Sequence, residues 1–465
     1  MRTETSASPL VVFRTGFGLM MLLSIVRFWA YGWIDKLYLQ PDFHFSYRYF
    51  EWVRPPGQFT YALFIVAGLA AFCITIGYRY RLAMGTFFLS FTYIELIDKT
   101  TYLNHYYFIS LLSLLLCFIP IPAGWAGARG CKVDRSYIRV LQVFVAVVYF
   151  YAGLAKLNSD WLLEAQPLAI WLPAKYSVPL LGDLLQQRWV HYAFAWGGAA
   201  YDLAIPFLLW WRPTRVLAFV LVVVFHVLTW VLFPIGMFPY IMIVSALIFF
   251  GPEVHDRIVG GLARIGRLWP SDGGRPSDGG RPSDGGRPSD GGRPSDGGRP
   301  SDGGRPSDGG IGKIQFVAIT GMLILHLIFP FRYLLHPGEL FWTEAGYRFS
   351  WRVMLMEKAG VATFTVQDQA SARRVVVDNR NFLTVFQEKQ MATQPDFLLQ
   401  YAHHLADHYR QRGFTDPAVY VDSYVALNGR LSQRYVDPVI DLAAVDTDTP
   451  VTQWLMPFND TIYGL

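Results

Sequence analysis

The chain has 465 residues, of which 53% are hydrophobic and only 16% charged, and it carries a formal net charge of +5. A soluble domain of this length holds far more charge, so a membrane protein is expected. The basic residues are scattered through short loops instead of gathered in one patch, which argues against nucleic-acid binding.

The N-terminal MRTETSASPL runs into an apolar segment containing Arg14 and Arg27, with no small-residue cleavage site after it, and reads as a retained first span. Apolar runs fit to cross a ~30 Å hydrocarbon layer occur nine times, at 10–33, 58–77, 82–98, 104–121, 136–156, 191–211, 215–233, 236–250 and 313–331. Lys and Arg collect after the even spans: Arg79 and Arg81, then Arg129, Lys132, Arg135 and Arg139, then Arg212 and Arg215, then Arg257, Arg264 and Arg267. Placing those loops in the cytoplasm puts the N-terminus inside and everything beyond Phe331 outside. Cys73 and Cys117 lie in apolar runs and Cys131 in a basic loop, so no disulfide framework is read.

Residues 271–310 are six copies of Ser-Asp-Gly-Gly-Arg-Pro followed by Ser-Asp-Gly-Gly. Each unit is charge-neutral and holds no apolar residue, so the stretch reads as a cytoplasmic tether without chemistry of its own. From about Gly338 the composition becomes that of an α+β domain. Strands are expected at 361–366, 374–377 and 418–427, and a helix opens at Thr393 and Pro395 and stops near Gly413, with Asn428-Gly429 as a turn.

The expected fold is therefore a polytopic α-helical membrane protein of about nine transmembrane helices with a C-terminal extramembrane α+β domain. It divides into a helical membrane domain of about eight spans (1–260), a cytoplasmic low-complexity linker (261–312), a ninth span (313–335) and an extracytoplasmic α+β domain (336–465). A bacterial inner membrane is the expected location.

Polar residues inside such spans are costly and mark function. In this topology the end of span three, the start of span four and the end of span five all reach the outer side. Lys99, Asn104, His105 and Lys156 are thus expected to share one outer-leaflet site beneath the C-terminal domain. Tyr149, seven residues before Lys156, shares its helical face, and the small residues Ala152 and Gly153 leave room for a flat ligand. Position alone equally permits Lys156 to snorkel to the headgroups. Lys99 beside Asp98 reads as a structural ion pair. His226 and His326 read as packing histidines by position, and Asp202, after Gly197-Gly198, requires a partner in the bundle. There is no His-Glu-x-x-His, Cys-x-x-Cys pair, phosphate loop or Gly-x-Ser-x-Gly elbow. His404 and His408 are one turn apart but on the polar face of their helix, so no metal is expected.

Residues 98–107, Asp-Lys-Thr-Thr-Tyr-Leu-Asn-His-Tyr-Tyr, and 149–157, Tyr-Phe-Tyr-Ala-Gly-Leu-Ala-Lys-Leu, resemble vitamin K-dependent γ-glutamyl carboxylases and their bacterial relatives. Phe225-His226, the Phe-Pro-Ile-Gly-Met-Phe at 233–238, the Tyr-Arg-Phe-Ser-Trp at 347–351 and the Asn-Gly-Arg-Leu-Ser-Gln-Arg-Tyr-Val-Asp-Pro at 428–438 match in the same order. The resemblance implies a membrane enzyme that oxygenates vitamin K hydroquinone, or a related quinol, to the epoxide and uses the resulting base to carboxylate glutamate, with O2 and CO2 as co-substrates and no metal. It implies Lys156 as the base that deprotonates the quinol, with Asn104 and His105 stabilising the quinol oxygens. Tyr149, His226 and Asp202 are taken as the quinol-binding set. The partners implied are membrane lipid, the quinol and a glutamate-containing peptide or small-molecule substrate, with no nucleic acid.

A neutral amine is needed for that base, and Lys156 is expected to work largely unprotonated. The chain departs from the animal enzymes at three points. Their longer C-terminal portion carries substrate recognition, their early outer loop is tied to the C-terminal domain by a disulfide, and a histidine follows their Ser-Trp where Val353-Met354-Leu355-Met356 stands here. Quinol oxygenation is accordingly better supported than peptide carboxylation, and an epoxidase without carboxylation is the alternative. A transporter or lipid-binding protein, which Asp202, His226 and His326 permit, is the alternative of another class, although no inverted repeat or pair of broken helices supports it.

Overall fold

The structure is a computed structural model that describes residues 4–123, 125, 130–267 and 312–464. The repeat at 271–310, and with it most of the expected linker, lies outside the described residues.

Each expected span coincides with a helix: α1 (Ser8–Ala30), α2 (Thr60–Ile76), α3 (Tyr80–Ile97), α4 (Asn104–Phe118), α5 (Arg135–Leu154), α6 (Arg188–Trp210), α7 (Arg215–Leu232), α8 (Phe238–Ala246) and, after the linker, α10 (Lys313–Ile328). Among the described residues, five helical segments are long and apolar enough to cross a membrane: Ser8–Ala30, Gly57–Ile76, Arg135–Leu154, Arg215–Leu232 and Lys313–Leu335. Asn104–Phe118 and Phe238–Phe249 are apolar but shorter. Helices α3 and α6 have the length without the same apolar density, because α6 carries His191, Arg188 and Asp202, and α3 carries Arg81, Glu95 and several hydroxyl residues. Nine full spans are thus more than length and composition support. The basic segment after α8, read from sequence as a loop, is instead an amphipathic helix, α9 (Pro252–Arg267).

Local chemistry sets the helix ends. Asp134 caps α5 by accepting a hydrogen bond from the Ser136 amide at 2.9 Å, and Gly77 ends α2 in the left-handed conformation that favours glycine. Short strands β1 (Glu4–Ser6) and β2 (Lys132–Asp134) pair antiparallel and tie the N-terminus to the start of α5. Helix α7 leaves Val216, Val220, Val224, Val227 and Val231 exposed, the outward apolar face expected of a helix against lipid. Arg14 is the opposite case, fully buried in α1 with its Nη1 donating to the Pro122 carbonyl at 2.8 Å.

The C-terminal domain is an antiparallel sheet of strand order β4-β3-β5-β6, built from β3 (Lys358–Asp368), β4 (Arg374–Val376), β5 (Pro417–Leu427) and β6 (Gln433–Arg434). Strands β3 and β5 pair along their whole length, from Lys358 opposite Leu427 to Asp368 opposite Pro417. Helix α11 (Val385–Met391) precedes α12 (Pro395–Gln411). The buried stripe of α12, formed by Phe397, Leu398, Tyr401 and Leu405, packs in one core with Phe364, Val366, Val419 and Val421 of the sheet. Tyr401 meets Phe364 edge-on at 5.0 Å.

A polar seam joins this domain to the loops at one end of the helical bundle. Asp160 accepts from Asn428 Nδ2 at 2.7 Å and from Arg430 Nη1 and Nη2 at 2.8 and 2.7 Å. Gln387 donates to the Phe43 carbonyl at 2.7 Å and to Asp98 at 2.8 Å, and Gln400 donates to the Ser46 carbonyl at 2.9 Å. Lys99 does not pair with the neighbouring Asp98. Its ammonium lies 2.7 Å from Asp396, which also takes Arg348 at 2.8 Å, while Asp98 turns to the Thr100 amide and hydroxyl. Burial opposes the Asp396 carboxylate, yet Arg348 and Lys99 together hold it well below the usual carboxylate range. Burial pushes Asp98 up to about 6. His404 packs against Phe43 at 4.4 Å and His408 against Phe382 at 4.8 Å, so the face read as polar is half-buried.

Candidate active site

Where the bundle meets this domain, α5, α6, α7 and α8 surround a narrow apolar chamber of about 90 Å³. Tyr149, Ala152 and Lys156 enter from the end of α5, Gly198 and Asp202 from α6, Phe225, His226 and Thr229 from α7, and Phe238 and Met242 from α8. Lys156 follows the last turn of α5. Its Nζ donates to the Ala152 carbonyl at 3.1 Å and to Asp202 Oδ2 at 2.8 Å, and lies 5.2 Å from the Trp161 ring centre. Both partners are nearly sealed, at 6% and 5% exposure, so the lysine does not snorkel away from the protein.

Gly153 explains how the two charges meet. A Cβ there would fall 2.7 Å from the Leu203 amide nitrogen and 3.0 Å from the Asp202 carbonyl carbon. The absent side chain therefore makes room for the α6 backbone, not for a flat ligand, and the close approach carries Asp202 onto Lys156. The loop after Lys156 is held as firmly. Asn158 caps the following turn through the Trp161 amide at 2.9 Å, the Trp161 indole donates to the Ala195 carbonyl at 2.7 Å, and Asp160 is gripped by Asn428 and Arg430.

His226 bonds the Val222 carbonyl through Nδ1 at 2.8 Å. Among the described residues its Nε2 has no hydrogen-bond partner, and its ring stands edge-on to Tyr149 at 5.9 Å and 5.9 Å from Phe238. His326 packs by contrast, stacked on Phe144 at 4.1 Å and bonded to the Phe144 carbonyl at 3.1 Å.

A second, roomier chamber of about 560 Å³ adjoins the first. Arg27, Trp33, Asn104, His105 and Gly236 line it, and Phe386 and Gln390 of the C-terminal domain close its rim. Ile235, Phe238, Val353 and Met354 belong to both chambers and form the wall between them. Asn104 Nδ2 donates to the Arg352 carbonyl at 2.9 Å, and its Oδ1 accepts from the Tyr102 hydroxyl at 3.0 Å. His105 is buried, 4.5 Å from Tyr106 and 5.9 Å from Phe238.

The set expected at one site is thereby divided. Lys156, Tyr149, Asp202 and His226 come together in the inner chamber, Asn104 and His105 line the outer one, and Lys99 lies in the seam, in neither. Sequence reasoning missed Arg27, Gly236, Asp160 and the role of Gly153. Local signals were present: Arg27 is a charge in an apolar run, Gly236 stands in the Phe-Pro-Ile-Gly-Met-Phe at 233–238, and Asp160 lies in the Asn-Ser-Asp-Trp that follows Lys156-Leu157.

The inner chamber suits an apolar ligand with polar edges, since its walls are apolar and its polar groups are few. Among the described residues no group of three or more His, Cys, Asp or Glu side chains is placed to hold a metal ion. Cys73, Cys117 and Cys131 are all free.

No solved structure matches the chain. Residues 312–461 match the lumenal domain of vitamin K-dependent gamma-carboxylase, and residues 2–253, more than half of the chain, match the HTTM domain. With both domains present, in this order, on a helical membrane scaffold, the chain belongs to the vitamin K-dependent gamma-carboxylase family.

Proposed function

We propose that this protein is a quinol-dependent γ-glutamyl carboxylase-like enzyme with its chemistry in the inner chamber. The observation that carries the reading is the buried Lys156–Asp202 pair, 2.8 Å apart in an otherwise apolar cavity. When bound there, vitamin K hydroquinone or a related quinol, oxidised by O2, supplies the strong base that removes a glutamyl γ-proton so that CO2 can add.

The chain's own groups have simpler tasks. Lys156, in its amine form, takes the phenolic proton onto Nζ. Asp202 orients that amine and balances the positive charge it then carries. His226, whose Nδ1–H donates to the Val222 carbonyl, presents Nε2 as an acceptor for a quinol hydroxyl, a fixed partner whose effect grows where water is excluded. Trp161, Phe225 and Phe238 exclude water, and Tyr149 packs against the His226 ring. The basic loops support a cytoplasmic N-terminus and an extracytoplasmic C-terminal domain, as in a bacterial inner membrane. Labelling Val439→Cys, an exposed site, with an impermeant maleimide on intact cells tests that orientation.

The functional test is incubation of purified protein with reduced vitamin K, O2, labelled bicarbonate and a glutamyl peptide. Epoxide and labelled peptide are both expected, and undiminished epoxide from Lys156→Ala would sink the assignment. A second reading, epoxidation without carboxylation, is favoured by Val353 and Met354, which stand in the wall between the chambers within the Val353-Met354-Leu355-Met356 segment where the resemblance calls for a histidine. It predicts epoxide with no label in the peptide.

A further inference from the structure

Arg27 lies in the last turn of α1, among Ile25, Val26, Phe28 and Trp29. A guanidinium in such a helix normally finds a carboxylate or reaches the headgroups. Here it is laid over the Trp33 ring at 4.7 Å and the Tyr31 ring at 5.9 Å. Among the described residues it makes no ion pair and no hydrogen bond, and it lines the outer chamber.

Gly236 shows where that guanidinium is aimed. The residue has φ +64, and a Cβ built on it would lie 3.4 Å from Arg27 Nη1 and 3.8 Å from His105 Nε2. Two nitrogen groups from different helices thus converge on one point that the chain leaves without a side chain. Neither ring nitrogen of His105 has a hydrogen-bond partner among the described residues. Asn104, the other polar residue expected here, is already spent on Arg352 and Tyr102.

We infer that the outer chamber is a carboxylate site in which Arg27, assisted by His105, holds the side-chain carboxylate of a glutamyl substrate. The identity of that substrate rests on the proposed carboxylase reading; the anion preference rests on the unpaired guanidinium alone. A planar guanidinium matches a carboxylate in two-pronged fashion, and the low-dielectric walls strengthen the contact. The rim formed by Phe386 and Gln390 belongs to the C-terminal domain, so a water-soluble substrate reaches this chamber along the seam while the quinol occupies its neighbour. The division of labour follows from charge: the inner cation is neutralised by Asp202 and suits an uncharged ligand, whereas the outer cation lacks a counterion and suits an anion.

The test is equilibrium binding of a fluorescent, N-acetylated and C-amidated pentapeptide with one central glutamate to the full chain in phosphatidylcholine nanodiscs, without quinol or O2. Wild type is expected to bind saturably, Arg27→Gln about tenfold or more weakly, and Arg27→Lys in between, which guards against a misfolded variant. The glutamine twin of the peptide is expected to bind wild type and Arg27→Gln alike. Adding phosphatidylglycerol reads the competing source: displacement of the peptide by anionic lipid at low mole fraction, with no loss in Arg27→Gln, would make Arg27 a headgroup anchor and overturn the proposal. Absent binding by wild type, equal binding by Arg27→Gln, or equal binding of the two peptides by wild type would overturn it as well. Because binding is read without turnover, a failure of quinol oxidation at Lys156 would leave this result standing.

Discussion

The inner chamber keeps its lysine 2.8 Å from a carboxylate, whereas the outer chamber, across a wall of four side chains, leaves its arginine without one. Both cations sit at the same end of the helical bundle among apolar side chains, Lys156 buried and Arg27 half-buried. The difference teaches that a buried charge is read through its partner. A paired lysine is held at a fixed position in a dry pocket, and an unpaired arginine leaves room for an anion from elsewhere.

The sharpest way to break the comparison is at Lys156. Under the proposed chemistry Lys156→Ala lowers epoxide formation about 10²–10⁴-fold, the range of a positioned acid–base group. Asp202→Asn leaves the buried Lys156 Nζ without its carboxylate partner and destabilises the membrane domain by about 3 kcal/mol. The double change Lys156→Met with Asp202→Leu recovers most of that stability while activity stays lost, as read by thermal unfolding beside the epoxidation assay. Recovery of activity with the double change would show the pair to be scaffolding only.

Smaller effects test the supports. Gly153→Ala drives a methyl into the Leu203 amide and costs about 1–3 kcal/mol by overpacking, with a fall in epoxide formation because Asp202 retreats from Lys156. In the seam, Asp396→Asn leaves Lys99 and Arg348 short of a carboxylate and costs about 2 kcal/mol. Asp396 is depressed in the folded state, so its contribution is present above the unfolded value of about 4 and is lost as pH falls below it. Unfolding midpoints taken from pH 7 down to pH 3 should therefore fall less steeply in Asp396→Asn than in wild type. Gly236→Ala is the mildest change, costing about 1 kcal/mol for its positive φ. It fills the point between Arg27 and His105, so glutamyl-peptide affinity should fall with it.

The membrane character, the nine apolar helices, strands β3, β4 and β5 and helix α12 of the C-terminal domain were legible because each is written in local residue type and period, near 3.6 residues for helices and 2 for strands. Lys156, Tyr149, Asp202 and His226 were each visible as polar or aromatic exceptions in apolar runs, and the ordered motifs pointed to the family that the domain matches show. The basic run after α8 was misread because its helix is amphipathic and short of apolar residues.

Partnership was not legible. Asp202 lies 46 residues from Lys156, and Asp396 nearly 300 from Lys99, whose own neighbour Asp98 was the obvious but wrong choice. Such pairings are decided by how closely two backbones approach, as at Gly153, and by which loop the C-terminal domain covers. The same holds for the wall of Ile235, Phe238, Val353 and Met354 that separates Lys156 from His105. By itself the sequence determined a membrane bundle with an α+β domain and the polar exceptions in its apolar runs, because burial pattern and residue type are local properties. Only the tertiary structure decided which charges neutralise one another and that the site is two chambers, because both depend on contacts between segments distant in the chain.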